Sequence, residues 1–177
     1  MTRLLVLGLL DKQPMSGYDI QQVINMMDAE RWSGVLVGSI YHALKKLEQE
    51  KHIEIASVEQ TGHRQKAMYQ ITQQGEEHLK SLIYDSLRTS SVSYPTALYS
   101  GLSFLEKISQ DNARQALEEQ KQLLEKEHGS LERGLKEKKA ALQNDIPQMS
   151  KITFEHMLSI IRQQQQFIEK ILDIMKQ

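Results

Sequence analysis

The first half of the chain changes its apolar period twice. Leu4, Leu5, Val6, Leu7, Leu9 and Leu10 form a segment apolar on nearly every side. It predicts a short buried helix ended by Asp11-Lys12-Gln13-Pro14. Ser16 is placed to cap a second helix through Tyr18, Ile20, Val23 and Ile24. Gly17 either admits another backbone closely or eases the turn. After Met27 the spacing loosens as far as Gly34. From Val37 to Glu50 it tightens again, with Ile40, Ala43, Leu44 and Leu47 at i, i+3, i+4 and i+7. That stripe predicts a helix pressed on a small core. Its other face carries Ser39, His42, Lys46 and Gln49, flanked by Tyr41 and Lys45. Three short helices with a turn before the third follow the helix-turn-helix plan, in which the last helix enters the DNA major groove.

The period then drops to two. Ile53 and Ile55 alternate with polar positions, as do Ala67, Tyr69 and Ile71 beyond Gln60-Thr61-Gly62-His63-Arg64-Gln65. This predicts a β-hairpin with a Gly-containing loop, the wing of a winged helix, carrying His63, Arg64 and Lys66 near its tip. Thr72 is a cap for a further helix with Gly75 in its first turn and Leu79, Leu82, Ile83 and Leu87 on its apolar face. Arg88 to Pro95 is polar and serine-rich, which predicts a domain boundary.

Long helical patterns make up the second half. A short helix over Ala97 to Ile108 is broken or eased at Gly101. Asp111 is a candidate cap for a long helix with Leu124, His128, Leu131, Leu135, Lys138 and Leu142 in 4-3-4-3-4 spacing. Asp145-Ile146-Pro147 interrupts it. A last helix sets Phe154, Met157, Ile161, Gln164, Ile168, Ile171 and Met175 at alternating spacings of three and four. Such coiled-coil-like seams predict helices packed on partners, within the chain or across a dimer. Because one thin helical module does not bury two of them alone, a homodimer through these helices is the favoured expectation.

Composition narrows the chemistry. The 177 residues are 40% apolar and 25% charged, within the globular range. With no cysteine, disulfides, thiolate catalysis and Cys-based zinc sites are excluded. The longest apolar run, Leu4 to Leu10, is too short to span a bilayer, and neither a signal peptide nor a membrane partner is expected, so the expected location is cytoplasmic. No Gly-rich phosphate loop, HExxH or GxSxG occurs, and the six histidines are scattered. The chain therefore reads as no enzyme, with no metal and no cofactor. His52 and His63 are the one pair that could meet across the hairpin. Residues 1–85 hold nine Lys/Arg and eleven Asp/Glu, 9 − 11 = −2. DNA binding then has to come from a local basic face. On the Val37–Glu50 helix, Gly38 and Ser39 lie at the N-terminus, where free backbone N–H groups favour a phosphate.

These pieces in order resemble the PadR family of bacterial transcriptional regulators. The resemblance is carried by LLVLGLL (Leu4–Leu10), SGYDI (Ser16–Ile20), Trp32, GSIYHALKKLE (Gly38–Glu48) and Arg64…Tyr69-Gln70-Ile71-Thr72…Gly75. It covers about residues 1–85. The length and helical tail are similar to the longer subfamily, whose C-terminal helices intertwine two protomers. The resemblance implies a mainly α protein with a small β-hairpin: a winged helix-turn-helix domain over 1–88, a linker over 89–96 and an all-α dimerisation domain over 97–177. It implies a homodimeric repressor of double-stranded DNA with a two-fold symmetric operator. Gly38, Ser39, Tyr41 and His42 match the start of the family's recognition helix, Lys45 and Lys46 its next turn, and Arg64 and Lys66 its basic wing. Tyr18 matches the tyrosine of the second helix. Relatives that release DNA on binding aromatic compounds add an aromatic small-molecule effector to the expectations. Trp32, Tyr94 and Tyr99 are the aromatic residues for such a pocket. The rival expectation, which the net acidity of the first half favours, is a helical interaction protein whose winged helix binds a protein partner.

Overall fold

The Leu-rich start is α1 (Thr2–Leu10), with Val6, Leu7 and Leu10 buried. This computed structural model describes every residue but Asp28, Gly62, His63, Ser90, Ser91, Asn144 and Gln177, and the backbone alone of Glu30, Arg31, Thr61, Arg64 and Gln65. Ser16 does cap α2 (Gly17–Met26), and Asp19 completes a reciprocal capping box with it. The loosened stretch holds a five-residue helix, α3 (Ala29–Ser33). One turn offers too few apolar positions for a period to show. Gly34 follows with a positive φ of 67°, the left-handed region that glycine occupies without penalty. Then comes α4 (Val37–Gln49), burying Ile40, Ala43, Leu44 and Leu47.

β1 (Ile53–Thr61) and β2 (Arg64–Ile71) form an antiparallel hairpin running from Ile53↔Ile71 to Thr61↔Arg64, with a bulge between Ile55 and Ser57. Gln60 pairs with Gln65, so the strands extend into the stretch expected as loop. Met15 bridges Tyr69 from the other side, which puts β2 in the middle of a minimal three-stranded arrangement. In α5 (Gln73–Arg88) the Thr72 hydroxyl caps Gly75 N–H at 3.1 Å. A Cβ on Gly75 would lie 2.0 Å from the carbonyl oxygen of His52, so only glycine lets the helix start this close to β1. Side chains of α1, α2, α4, β1 and α5 share one core around Leu7, Ile20, Ile40, Leu47 and Ile53.

The chain divides into two units, Met1–Ser93 and Tyr94–Gln177. The second contains α6 (Thr96–Ser103), a 3-10 turn at Leu105–Lys107, α7 (Gln110–Ala141) and α8 (Gln148–Ile174). Ser109, not Asp111, caps α7: its hydroxyl accepts Asn112 N–H at 3.2 Å, and Asp111 lies inside the first turn. α7 and α8 pack antiparallel, with Leu117 against Ile168 and Leu172, and Leu131 against Leu158 and Ile161. The expected seams hold in part. Leu142 lies past the end of α7 and is 40% exposed, while Ala113, Leu117, Leu158 and Leu172 are buried. The buried stripe of α8 is wider than the expected positions allow, because 3.6 residues per turn drifts from a strict heptad. Among the described residues, no helix is long and apolar enough to cross a membrane.

Candidate nucleic-acid interface

With its apolar stripe buried, α4 turns Gly38, Tyr41, His42, Lys45, Lys46 and Gln49 outward. At about 100° per residue these share one side of the helix. No side chain caps its start at Leu36. Ser39 N–H bonds to the Leu36 carbonyl at 2.9 Å, so the N–H groups left for an anion are those of Val37 and Gly38, one residue earlier than expected. The Ser39 hydroxyl donates to the same carbonyl at 2.6 Å and lies 3.2 Å from Thr2 Oγ1. With that proton engaged, Thr2 is the donor to Ser39, and Ser39 faces any partner as an acceptor. A Cβ on Gly38 would meet nothing within 4 Å. Leu36 and Val37, 59% and 41% exposed, add an apolar edge that periodicity did not single out, because exposure is not written in spacing.

Met15 to Asp19 is the joint at which α2, α4 and the hairpin meet. Met15 exchanges two backbone hydrogen bonds with Tyr69, at 3.0 and 2.9 Å. A Cβ on Gly17 would come within 2.8 Å of the Tyr41 ring and 3.1 Å of Leu44, so this glycine serves close packing on α4. Tyr18 points outward, 59% exposed. Asp19 accepts Ser16 N–H and hydroxyl at 3.1 and 2.8 Å, and the Lys66 ammonium reaches both of its oxygens at 3.0 Å. Burial pushes the Asp19 carboxyl up, but the bonds from Lys66 and Ser16 outweigh it and hold it below its ordinary value.

The wing is mixed in charge: Glu59 pairs with Lys66 in the strand register, and Gln70 donates to Glu54 at 2.7 Å. Arg64 is the first residue of β2, and its side chain lies outside the described residues, as does His63 altogether. The expected His52–His63 pair thus falls outside what the structure describes. His52 instead stacks on His78 of α5, ring centroids 4.3 Å apart and planes 13° from parallel. Arg3 pairs with Glu50 beside them, and Glu50 lies 3.5 Å from His52 Nδ1. Burial lowers both imidazole pKa values, aided by Arg3 at His52 and by His52 and Arg3 at His78. No spacing rule joins a loop histidine to one on a later helix, so the sequence held no signal for this pair. Among the described residues, no group of three His, Asp or Glu is placed to hold a metal ion.

The three aromatic effector candidates lie apart in the chain. Trp32, on α3, donates its indole N–H to the Met27 carbonyl at 3.0 Å and is 41% exposed. In the second unit Tyr94 and Tyr99 have ring centroids 6.3 Å apart, and Tyr99 meets Phe167 edge-on at 5.9 Å. A shallow cavity of about 350 Å³ in that unit is lined by aliphatic side chains, among them Leu98, Leu102, Leu105, Ile108 and Leu117, and by neither tyrosine.

A buried-core helix trio, an outward polar helix face and a hairpin behind it define a winged helix-turn-helix DNA-binding unit. Residues 6–81 match the Transcriptional regulator PadR-like family, a family of transcription regulators and not of enzymes, so the first unit carries a PadR-like domain. No protein of curated function matches the chain in sequence. Similar solved structures extend over its whole length. Bacillus subtilis PadR in complex with operator DNA is 23% identical, with a TM-score of 0.76 over 98% of this chain and 96% of that one. The same Bacillus subtilis protein in complex with p-coumaric acid aligns at 22% identity and a TM-score of 0.76, over 99% and 98%. The Vibrio cholerae virulence activator AphA aligns at 17% identity and a TM-score of 0.71, over 99% and 98%. At these identities the likeness is one of fold, and it includes the helical second unit.

Proposed function

We propose that this chain is a homodimeric repressor that binds a two-fold symmetric operator through the outward face of α4. One observation carries the reading: Gly38, Tyr41, His42, Lys45 and Lys46 face solvent together while the whole opposite side of α4 is buried. Lys45 and Lys46 neutralise phosphates or donate to guanine edges, where a good bidentate contact is worth roughly 1–3 kcal/mol. His42 reads a base edge, and Ser39 contributes an acceptor. The Val37 and Gly38 N–H groups take a phosphate. Tyr18 donates to the backbone from α2, and Arg64, at the first rung of β2, supplies the wing's phosphate contact. Residues 89–96 link this domain to the helices that pair two protomers.

The complex of Bacillus subtilis PadR with p-coumaric acid supports an aromatic acid as the effector, with the aliphatic cavity beside α6 or the exposed Trp32, Tyr94 and Tyr99 as places for it. Footprinting of the DNA upstream of its own gene, repeated with a panel of aromatic acids, tests the reading. The expected result is two protected half-sites about 10 base pairs apart, with protection lost on adding one compound. Absence of any protection at low salt contradicts DNA recognition; protection that every compound leaves intact contradicts the effector.

A further inference from the structure

We propose that Lys66 acts as a positioning residue, setting the angle of the wing by holding Asp19, rather than as a phosphate contact. The inference rests on the DNA-binding reading above and assigns a role within it. A two-stranded hairpin is marginal by itself. β1 anchors this one at its base, where Ile53 enters the core, and beyond that base two polar ties join β2 to the α2 region. The first tie is the backbone pair Met15–Tyr69, with hydrogen bonds of 3.0 and 2.9 Å. The second is the Lys66 ammonium, 3.0 Å from both oxygens of Asp19. Three residues of strand separate them, about 10 Å at 3.3 Å per residue. One tie leaves a hinge; two ties that far apart fix a direction. The outer rungs, Gln60↔Gln65 and Thr61↔Arg64, lie beyond the second tie, so the course of the backbone at the far end of the wing depends on it.

The anchor is itself hydrogen-bonded in place. Asp19 is held by the N–H and hydroxyl of Ser16, which is only 3% exposed. A carboxylate already fixed in place removes half of the entropic cost that weakens most exposed pairs. Lys66 and Asp19 side chains are 32% and 34% exposed, so the pair is partly shielded. A lysine neutralised in this way adds little to counterion release on binding DNA.

Operator binding by the full-length protein, titrated with salt, separates the two roles. For a dimer, Lys66→Met and Asp19→Asn should each lower affinity on the order of fivefold. The slope of log K against log salt should stay within about 0.5 of wild type, and the double variant should be no worse than either single one. Lys66→Arg should restore binding only where Asp19 is present. Direct phosphate contact predicts the opposite: a slope reduced by about 2 per dimer in Lys66→Met, and Asp19→Asn binding as tightly as wild type or tighter. That outcome overturns the proposal. Should Asp19→Asn unfold α2, the two Lys66 single variants leave its capping box intact and decide by slope alone. Amide exchange in the free protein supplies a readout without DNA. Lys66→Met should speed exchange at Ala67 while leaving Ile40 to Leu47 unchanged. Unchanged exchange across the wing overturns the positioning role even if wild type binds no operator, an outcome that separately removes the DNA-binding reading.

Discussion

Each residue of Met15-Ser16-Gly17-Tyr18-Asp19 has a separate physical duty. Met15 adds a single bridge to the hairpin, Ser16 caps α2, Gly17 clears the Tyr41 ring, Tyr18 faces out and Asp19 holds Lys66. The serine was legible as a cap because its chemistry is local. Asp19 was not, since its partner is far off in sequence and no periodicity joins them. Lys66 was legible as a cation but not as a paired one, for the same reason. Gly38 makes the sharpest case. Within a helix glycine costs about 0.5–1 kcal/mol relative to alanine, yet no neighbour in the chain requires its bareness. On the proposed reading, its bareness lets a phosphate approach the backbone N–H groups at the start of α4. Gly38→Ala should raise the melting temperature, by a gain of about 0.5–1 kcal/mol, and lower operator affinity on the order of tenfold. A destabilised protein with unchanged affinity would place the requirement inside the fold instead.

Among the elements, α1, α2, α4 and the hairpin were readable because each buries a full stripe or alternates over enough residues to set a period. α3 was hidden by its length, and the strands reached nearer the tip than turn composition suggested. The junction of α1, β1 and α5 was equally hidden, yet it makes stability depend on pH. His52 and His78 stack with their pKa values lowered by burial and by the Arg3 charge beside them. The unfolded chain takes up protons around the ordinary imidazole value of about 6.5, and the folded junction resists them. The stabilisation is therefore complete above that value and drains away as pH falls below it towards the folded-state values. Asp19, also lowered, contributes in full above the ordinary carboxylate range and loses that contribution only as pH falls below it, so the two pH-dependent windows do not overlap. Thermal melts between about pH 7.5 and 5.5 should show a falling midpoint, flattened in His78→Gln. A wild-type midpoint flat over that range would contradict this account of the junction.

For the whole molecule, the seams that first suggested a dimer turn out to face each other within one chain, α7 against α8. The proposed pairing of protomers then has to use what they leave exposed. Ile160, Phe167 and Ile174 recur every seven residues along α8 at 45%, 36% and 70% exposure. That is the spacing of a helix-packing stripe. Phe167 already meets Tyr99, so Ile160→Asp with Ile174→Asp is the cleaner variant. It should sediment as a monomer and bind operator DNA weakly; a persisting dimer would move the interface elsewhere. Sequence period revealed that these helices pack but not on what, because a heptad does not say whether its partner is the same chain. Recognition of DNA by the outward face of α4 is read out by the salt dependence of operator affinity. Wild-type affinity should fall linearly in log salt. Lys45→Ala should weaken binding and lower the slope by about 2 per dimer, while Tyr41→Phe, which keeps the ring against Gly17, should weaken it at unchanged slope. Affinity and slope equal to wild type in both variants would contradict recognition of DNA by this helix.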